Sequence, residues 1–167
     1  MLDHTVTEER RARHSKYQED FTPDEVVKAL YDGSGEELFN DFSKTLCDPC
    51  CGVGYILLHA IKERLSKCKT PKDIYEALET IYGVDIVVEN VIECRKNIRD
   101  CVSEYAKKGC ISIDDNEICR ILNRNIACSD FYEWDFVKWQ PNRKSPFVSL
   151  YDYFMNLTET ENMETKR

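Results

Sequence analysis

The chain has 167 residues, 42% of them hydrophobic, and a formal net charge of −8. This length and composition suit one soluble α/β domain whose core needs no disulfides, and no run approaches the roughly 20 apolar residues of a membrane helix. The acidic balance excludes strong autonomous nucleic-acid binding, because phosphate contacts need Lys and Arg.

Residues 1–16 are charged and polar and predict a flexible arm with no apolar stretch for a signal peptide, hence a cytoplasmic protein. The arm carries Arg10, Arg11, Arg13, His14 and Lys16. The simpler reading of that cluster is a solvated arm, and the functional one is an arm that touches phosphates. A domain is expected over 17–155. Thr22-Pro23-Asp24-Glu25 predicts a helix start, with Thr22 as cap, Pro23 at the first helical position and Glu25 completing a capping box. Val26, Val27, Leu30 and Tyr31 form its apolar stripe, and Gly33 and Gly35 stop it. Thr45 to Asp48 reads as a short buried parallel strand, Pro49 to Gly54 as a turn, and Tyr55 to Lys67 as a helix. Thr70-Pro71-Lys72-Asp73 is a second capping box, opening a helix through Leu78. Ile81 to Ile86 is the next strand. Glu89 to Lys108 is the longest helix, ended by Gly109. Asp114 to Leu122 is another helix, Asn125 to Asp130 a third strand, and Phe136 to Trp139 a candidate strand. Residues 156–167 form a polar tail that predicts disorder.

Strands alternating with helices predict a parallel sheet of the Rossmann-like kind, in which ligands bind at the carboxyl ends of the strands. The residues that carry chemistry fall at those ends. Asp48-Pro49-Cys50-Cys51-Gly52-Val53-Gly54 joins the first strand to its helix, where Gly52 and Gly54 allow unusual backbone angles and close approach of a ligand. Asp48 can accept from a cationic amine or a bound water. Asp85 ends the second strand, where a carboxylate accepts from ribose hydroxyls. It lies beyond the usual spacing of about 20 residues from the glycine turn, and the helix at 70–78 accounts for the excess. Asp130 ends the third strand beside Phe131, a pairing suited to an adenine amino group and its ring. The bland alternatives are a tight turn, an exposed strand-end acid, and a turn acid beside a core Phe. Taken together, the three acids describe one mononucleotide-like ligand. The nine cysteines read as small hydrophobes and free thiols in a reducing compartment, with Cys94, Cys101, Cys119 and Cys128 inside apolar-periodic segments. Cys47-x-x-Cys50 has no second pair and no nearby His, so no metal site is expected. A redox pair is the other reading of that motif.

In this order the motifs resemble the adenine-N6 DNA methyltransferases of the type I modification-subunit kind, and the compact layout is most similar to short phage-encoded methylase-like proteins. Phe21-Thr22-Pro23 resembles that family's opening motif, which touches the methionine part of the cofactor. Asp48 to Leu57 resembles the Asp-Pro-Ala-Cys-Gly-Ser-Gly-x-x-Leu motif. Tyr82-Gly83-Val84-Asp85-Ile86 matches the second motif, and Asn125 to Phe131 the third. The resemblance covers about residues 17–136. It implies a class I methyltransferase core truncated after the third or fourth strand. It also implies S-adenosylmethionine as cofactor, held by Phe21, Thr22, Pro23, Asp48, Cys50, Gly52, Gly54, Asp85, Ile86, Asp130 and Phe131.

The family's catalytic Asn-Pro-Pro-Tyr or Asn-Pro-Pro-Phe, whose Asn and Pro carbonyl hold the target amine while the aromatic stacks on a flipped-out base, does not occur. The nearest candidates are Gln140-Pro141-Asn142-Arg143 and Lys144-Ser145-Pro146-Phe147. Gln140 and Pro141 sit at the expected offset after Asp135 but lack the aromatic. Two readings follow. One is a methyltransferase acting on adenine in DNA, in the bacterial cytoplasm if phage-encoded. The other is a catalytically incomplete cofactor-binding module, completed by a protein partner or a homo-oligomer and related to restriction or anti-restriction.

Overall fold

The computed structural model describes residues 22–34, 39 and 41–142. The arm at 1–16, Phe21, the segment Lys144 to Phe147 and the tail at 156–167 lie outside the described residues. In chain order the elements are α1 (Asp24–Ser34), β1 (Leu46–Asp48), α2 (Tyr55–Leu65), α3 (Pro71–Glu79), β2 (Ile81–Asp85), α4 (Val88–Lys108), α5 (Asp115–Asn125) and β3 (Ile126–Cys128). A 3-10 turn (Phe131–Glu133) then leads into a two-stranded antiparallel ribbon, β4 (Trp134–Asp135) and β5 (Gln140–Pro141).

β1, β2 and β3 form a parallel sheet in that order. Both crossovers step in the same direction, so right-handed connections lay their helices on one face, where α2 packs against α4. The pleat sorts the strand residues accordingly. Leu46, Ile81, Gly83 and Ile126 point into the helix layer, and the register pairs Leu46 with Ile81 and Gly83 with Ile126. Gly83 has no alternative there, since a Cβ would come 2.9 Å from Cδ1 of Leu57 and 3.0 Å from Sγ of Cys51. Cys47, Tyr82, Val84 and Ala127 take the opposite face, where the ring of Trp139 lies 4.6 Å from that of Tyr82. The ribbon therefore backs the sheet on the side away from the helices. Arg64, fully buried, ties the layers at their amino edge. Its guanidinium donates to the carbonyls of Phe39 (2.8 Å) and Lys44 (3.0 Å) and to Oγ1 of Thr80.

The helix ends show where local reading holds and where it slips. The Thr70 box forms as expected: Thr70 Oγ1 accepts from the Asp73 N–H while the Asp73 carboxylate accepts from the Thr70 N–H. At α1, however, the Pro23 carbonyl accepts from Val26 and Val27 N–H. Pro23 is thus the residue before the helix and Thr22 lies one step outside it. Gly33 falls within the last turn of α1 rather than ending it. The stripe of α1 is split as well, with Val27 buried and Val26 and Leu30 exposed. α4 ends at Gly109 as expected; Gly109 itself has φ −83°, and the left-handed residue is Cys110 at φ +52°, with Ile111 N–H reaching Ala106 O and Cys110 N–H reaching Lys107 O. α5 runs three residues further than expected, through Asn125, which is helical and not part of the third strand. Phe136 to Trp139 is the turn of the ribbon and not a strand. No helix among the described residues is long and apolar enough to cross a membrane.

Candidate functional site at the carboxyl ends of the strands

The turn between β1 and α2 is fixed peptide by peptide. Asp48 Oδ1 accepts from Cys50 N–H at 3.2 Å. Cys51 N–H donates to the Val84 carbonyl of β2 at 2.9 Å, and Gly54 N–H closes back onto the Cys51 carbonyl at 2.8 Å. Gly52 N–H donates to Asp85 Oδ2 at 2.9 Å. Both glycines are left-handed, at φ +51° for Gly52 and +88° for Gly54, where L side chains are strained. They do different jobs. A Cβ on Gly52 would meet nothing within 4 Å, so the space above it is open; one on Gly54 would lie 2.5 Å from Cys94 Sγ of α4. Gly52 thus leaves room for a ligand and Gly54 lets loop and helix close together. Gly54 also caps α2, and no side chain caps that end.

Asp85 is more than an exposed strand-end acid. Besides Gly52, it accepts from Val87 N–H (2.8 Å) and Asn90 Nδ2 (3.3 Å), both on Oδ1. A carboxylate has about four acceptor positions, so one on Oδ2 is unused among the described residues. Asp130 caps the 3-10 turn through Tyr132 N–H at 2.8 Å. Asp48 and Asp85 bond directly into the turn that carries Cys50, and Asp130 follows β3. Burial first, then the charges of Asp48, Asp85 and Asp130, push the Cys50 thiol pKa up. Burial likewise raises the pKa of Asp48; the Cys50 N–H opposes this and the charge of Asp85 adds to it. No described Lys or Arg forms an ion pair with any of the three. Among the described residues, the strand tips are therefore an acidic mouth with no ion-paired cation.

Two apolar side chains stand beside this mouth. Ile86, next to Asp85, is 53% exposed, and Phe131, next to Asp130, is 42% exposed. Ser129 N–H donates to the Asp85 carbonyl, which draws the two strand tips together. On the far side of the loop, Val27 of α1 packs with Val53 and Tyr55, so the helix that begins after Thr22-Pro23 rests on the glycine turn. Gln140 and Pro141 occupy β5, exposed and paired with Asp135 and Trp134; they belong to an antiparallel ribbon and not to the tip of a fourth parallel strand. Cys47 and Cys50 are free thiols, the first on the ribbon face of the sheet with its pKa raised to about 11, mainly by burial. No cluster of metal-ligating side chains occurs among the described residues.

Two residues at the site escaped the sequence reading. Asn90, fully buried, holds Asp85, and Asn97 donates from Nδ2 to the Val53 carbonyl at 3.1 Å. Both are helical residues within an apolar stripe. The signal that marks them is that an Asn which breaks such a stripe needs a hydrogen-bond partner once buried.

Compared with known families, curated proteins and solved structures, the chain matches none.

Proposed function

We propose that this chain binds S-adenosylmethionine at the carboxyl ends of β1, β2 and β3, as a domain of the adenine-N6 DNA methyltransferase type. One observation carries the reading. Acids end two of three consecutive parallel strands and follow the third closely, and two of them, Asp48 and Asp85, bond into a glycine turn whose Gly52 faces open space. The donor set suits such a ligand. Asp48 would take the ammonium, and the remaining acceptor of Asp85 Oδ2 a ribose hydroxyl. Asp130 would take the adenine amino group, with Ile86 and Phe131 as apolar walls. An acidic mouth whose carboxylates pair with no described Lys or Arg suits a ligand carrying a sulfonium and an ammonium. When bound, the group would supply an electrophilic methyl to a nucleophilic amine, a transfer that depends mainly on positioning the two reactants.

A second reading is favoured by the ribbon. Gln140-Pro141 pairs in β5, and an acidic chain offers little to hold DNA phosphates. On this reading the chain is a cofactor-binding module whose acceptor site is supplied by a partner protein or a second copy.

Calorimetric titration of the full chain with S-adenosylmethionine tests the shared claim. Saturable one-to-one binding is expected, together with protection of Cys50 from alkylation by iodoacetamide. Absence of binding at millimolar ligand would overturn it. With binding established, methyl transfer to adenine-containing DNA by the chain alone would favour the first reading, and transfer only with a partner the second.

A further inference from the structure

The positions Asn90, Cys94 and Asn97 are spaced i, i+4, i+7 on α4 and so share one face. Each meets a different part of the machinery after β1. Asn90 donates to the carboxylate of Asp85, which in turn holds the Gly52 N–H. Cys94 is fully buried under Gly54, where a Cβ would lie 2.5 Å from its Sγ, and it shares the core with Cys51. Asn97 holds the Val53 carbonyl. The loop's other hydrogen bonds run to the sheet, to itself or, from Leu58 N–H to the Gly54 carbonyl, to α2. We propose that Asn90 and Asn97 are positioning residues: this stripe of α4 sets the conformation of Cys51-Gly52-Val53-Gly54, and through it the affinity for the ligand, without touching the ligand. The proposal rests on the S-adenosylmethionine reading only for its affinity arm. The loop arm stands on the free protein.

The physical reason lies in direction. Apolar packing fixes the distance between a loop and a helix but not the rotation of the loop's peptides, whereas hydrogen bonds fix both. Asn97 constrains the Val53 carbonyl, and hence the peptide that separates the two left-handed glycines. Asn90 orients the Asp85 carboxylate so that Oδ2 faces Gly52 and Oδ1 faces Val87. Removing either amide would leave the fold in place and let the loop rotate.

The test compares Asn97→Ala, Asn97→Asp and Asn90→Ala with the unsubstituted chain. Asn97→Asp keeps the size and replaces the donor with an acceptor facing a carbonyl. Asn97→Gln keeps the donor and serves as rescue. Amide hydrogen exchange of peptides covering 50–54, measured without ligand, is expected to speed up about ten-fold in the Ala and Asp variants, with exchange of α3 and β2 unchanged. Asn97→Gln should recover part of the protection. Affinity for S-adenosylmethionine should fall about five- to ten-fold alongside. A merely structural role would speed exchange across the whole domain and move the thermal midpoint without singling out the loop. That outcome, or loop exchange indistinguishable from the unsubstituted chain, overturns the proposal. If the unsubstituted chain binds no S-adenosylmethionine, the cofactor reading fails while the exchange data still decide the role of the two asparagines.

Discussion

The turn after β1 and the segment after β3 both leave the sheet at its carboxyl edge, yet different forces hold them. From Cys50 to Gly54 the turn is tied by directional hydrogen bonds to β2, to Asp85 and to α4. The ribbon from Phe131 to Asn142 is held largely by rings. Trp139 lies against Tyr82 and Trp134, Phe136 against Phe131 and Trp139, and one indole bond runs from Trp139 Nε1 to the Arg124 carbonyl. Its polar groups are less well served. Trp134 Nε1, Glu133 Oε2 and the nearby Ser129 Oγ are buried without a partner among the described residues, and Tyr132 and Val137 stand almost fully exposed. The lesson is that hydrogen bonds specify where atoms sit, whereas aromatic packing specifies only that faces meet. A binding loop needs the first kind of order.

Four experiments would break or sharpen that contrast. The largest effect is expected from Gly54→Ala, which sets a Cβ against Cys94 Sγ in a left-handed backbone. A loss of about 2–4 kcal/mol, by denaturant titration, follows from strain plus overpacking. Adding Cys94→Ala should restore part of it, and no restoration would place the strain elsewhere. Next comes Asp85→Ala, which strips the acceptor from Gly52, Val87 and Asn90. It should cost about 1–3 kcal/mol of stability and weaken S-adenosylmethionine binding by roughly ten-fold or more; unchanged affinity in a folded variant would sink the ribose assignment. Trp139→Ala removes the ribbon's main packing contact and should cost about 1–2 kcal/mol. If the two regions are held independently, its affinity for S-adenosylmethionine will stay within two-fold of the parent by the same titration; a larger loss would mean that the ribbon supports the mouth.

The smallest effect concerns pH. Burial holds the Asp48 carboxyl pKa above its ordinary value, with the charge of Asp85 adding to the shift. A carboxyl raised on folding is penalised when it ionises. Its contribution to stability is therefore highest at low pH and declines as pH rises through the folded pKa. A cationic ligand prefers the ionised form, so its affinity should rise over the same interval, from the ordinary carboxylate range upward. Parallel unfolding and binding titrations across that range would show both trends, and Asp48→Asn should flatten them. A pH-independent affinity in the parent would remove Asp48 from the ammonium site.

Much of the sheet was legible because short-range chemistry governs it. Apolar runs ending in Asp48 and Asp85 marked two strand tips, whereas Asp130 falls two residues past the end of β3, and the box at Thr70 formed as local rules require. The glycines of the turn announced a left-handed loop that the backbone bears out at Gly52 and Gly54. What could not be read involves partners distant in the chain. Nothing local says that Phe136 to Trp139 turns back to place Trp139 on Tyr82, or that Asn125 stays helical with its amide held by the Leu78 and Glu79 carbonyls.

By itself, the sequence determined the alternation of strands and helices, the glycine turn and the placing of Asp48 and Asp85 at strand ends, since each depends on neighbours within a few residues. Only the tertiary structure decided that Asp48 and Asp85 both bond into the glycine turn, that Asp85 is largely committed to its own chain, and that Asn90 and Asn97 of α4 bond to Asp85 and to the loop. Those facts depend on which segments meet across the sheet. A sequence pattern shows that a residue is polar, but only the packed fold shows which donor or acceptor it faces.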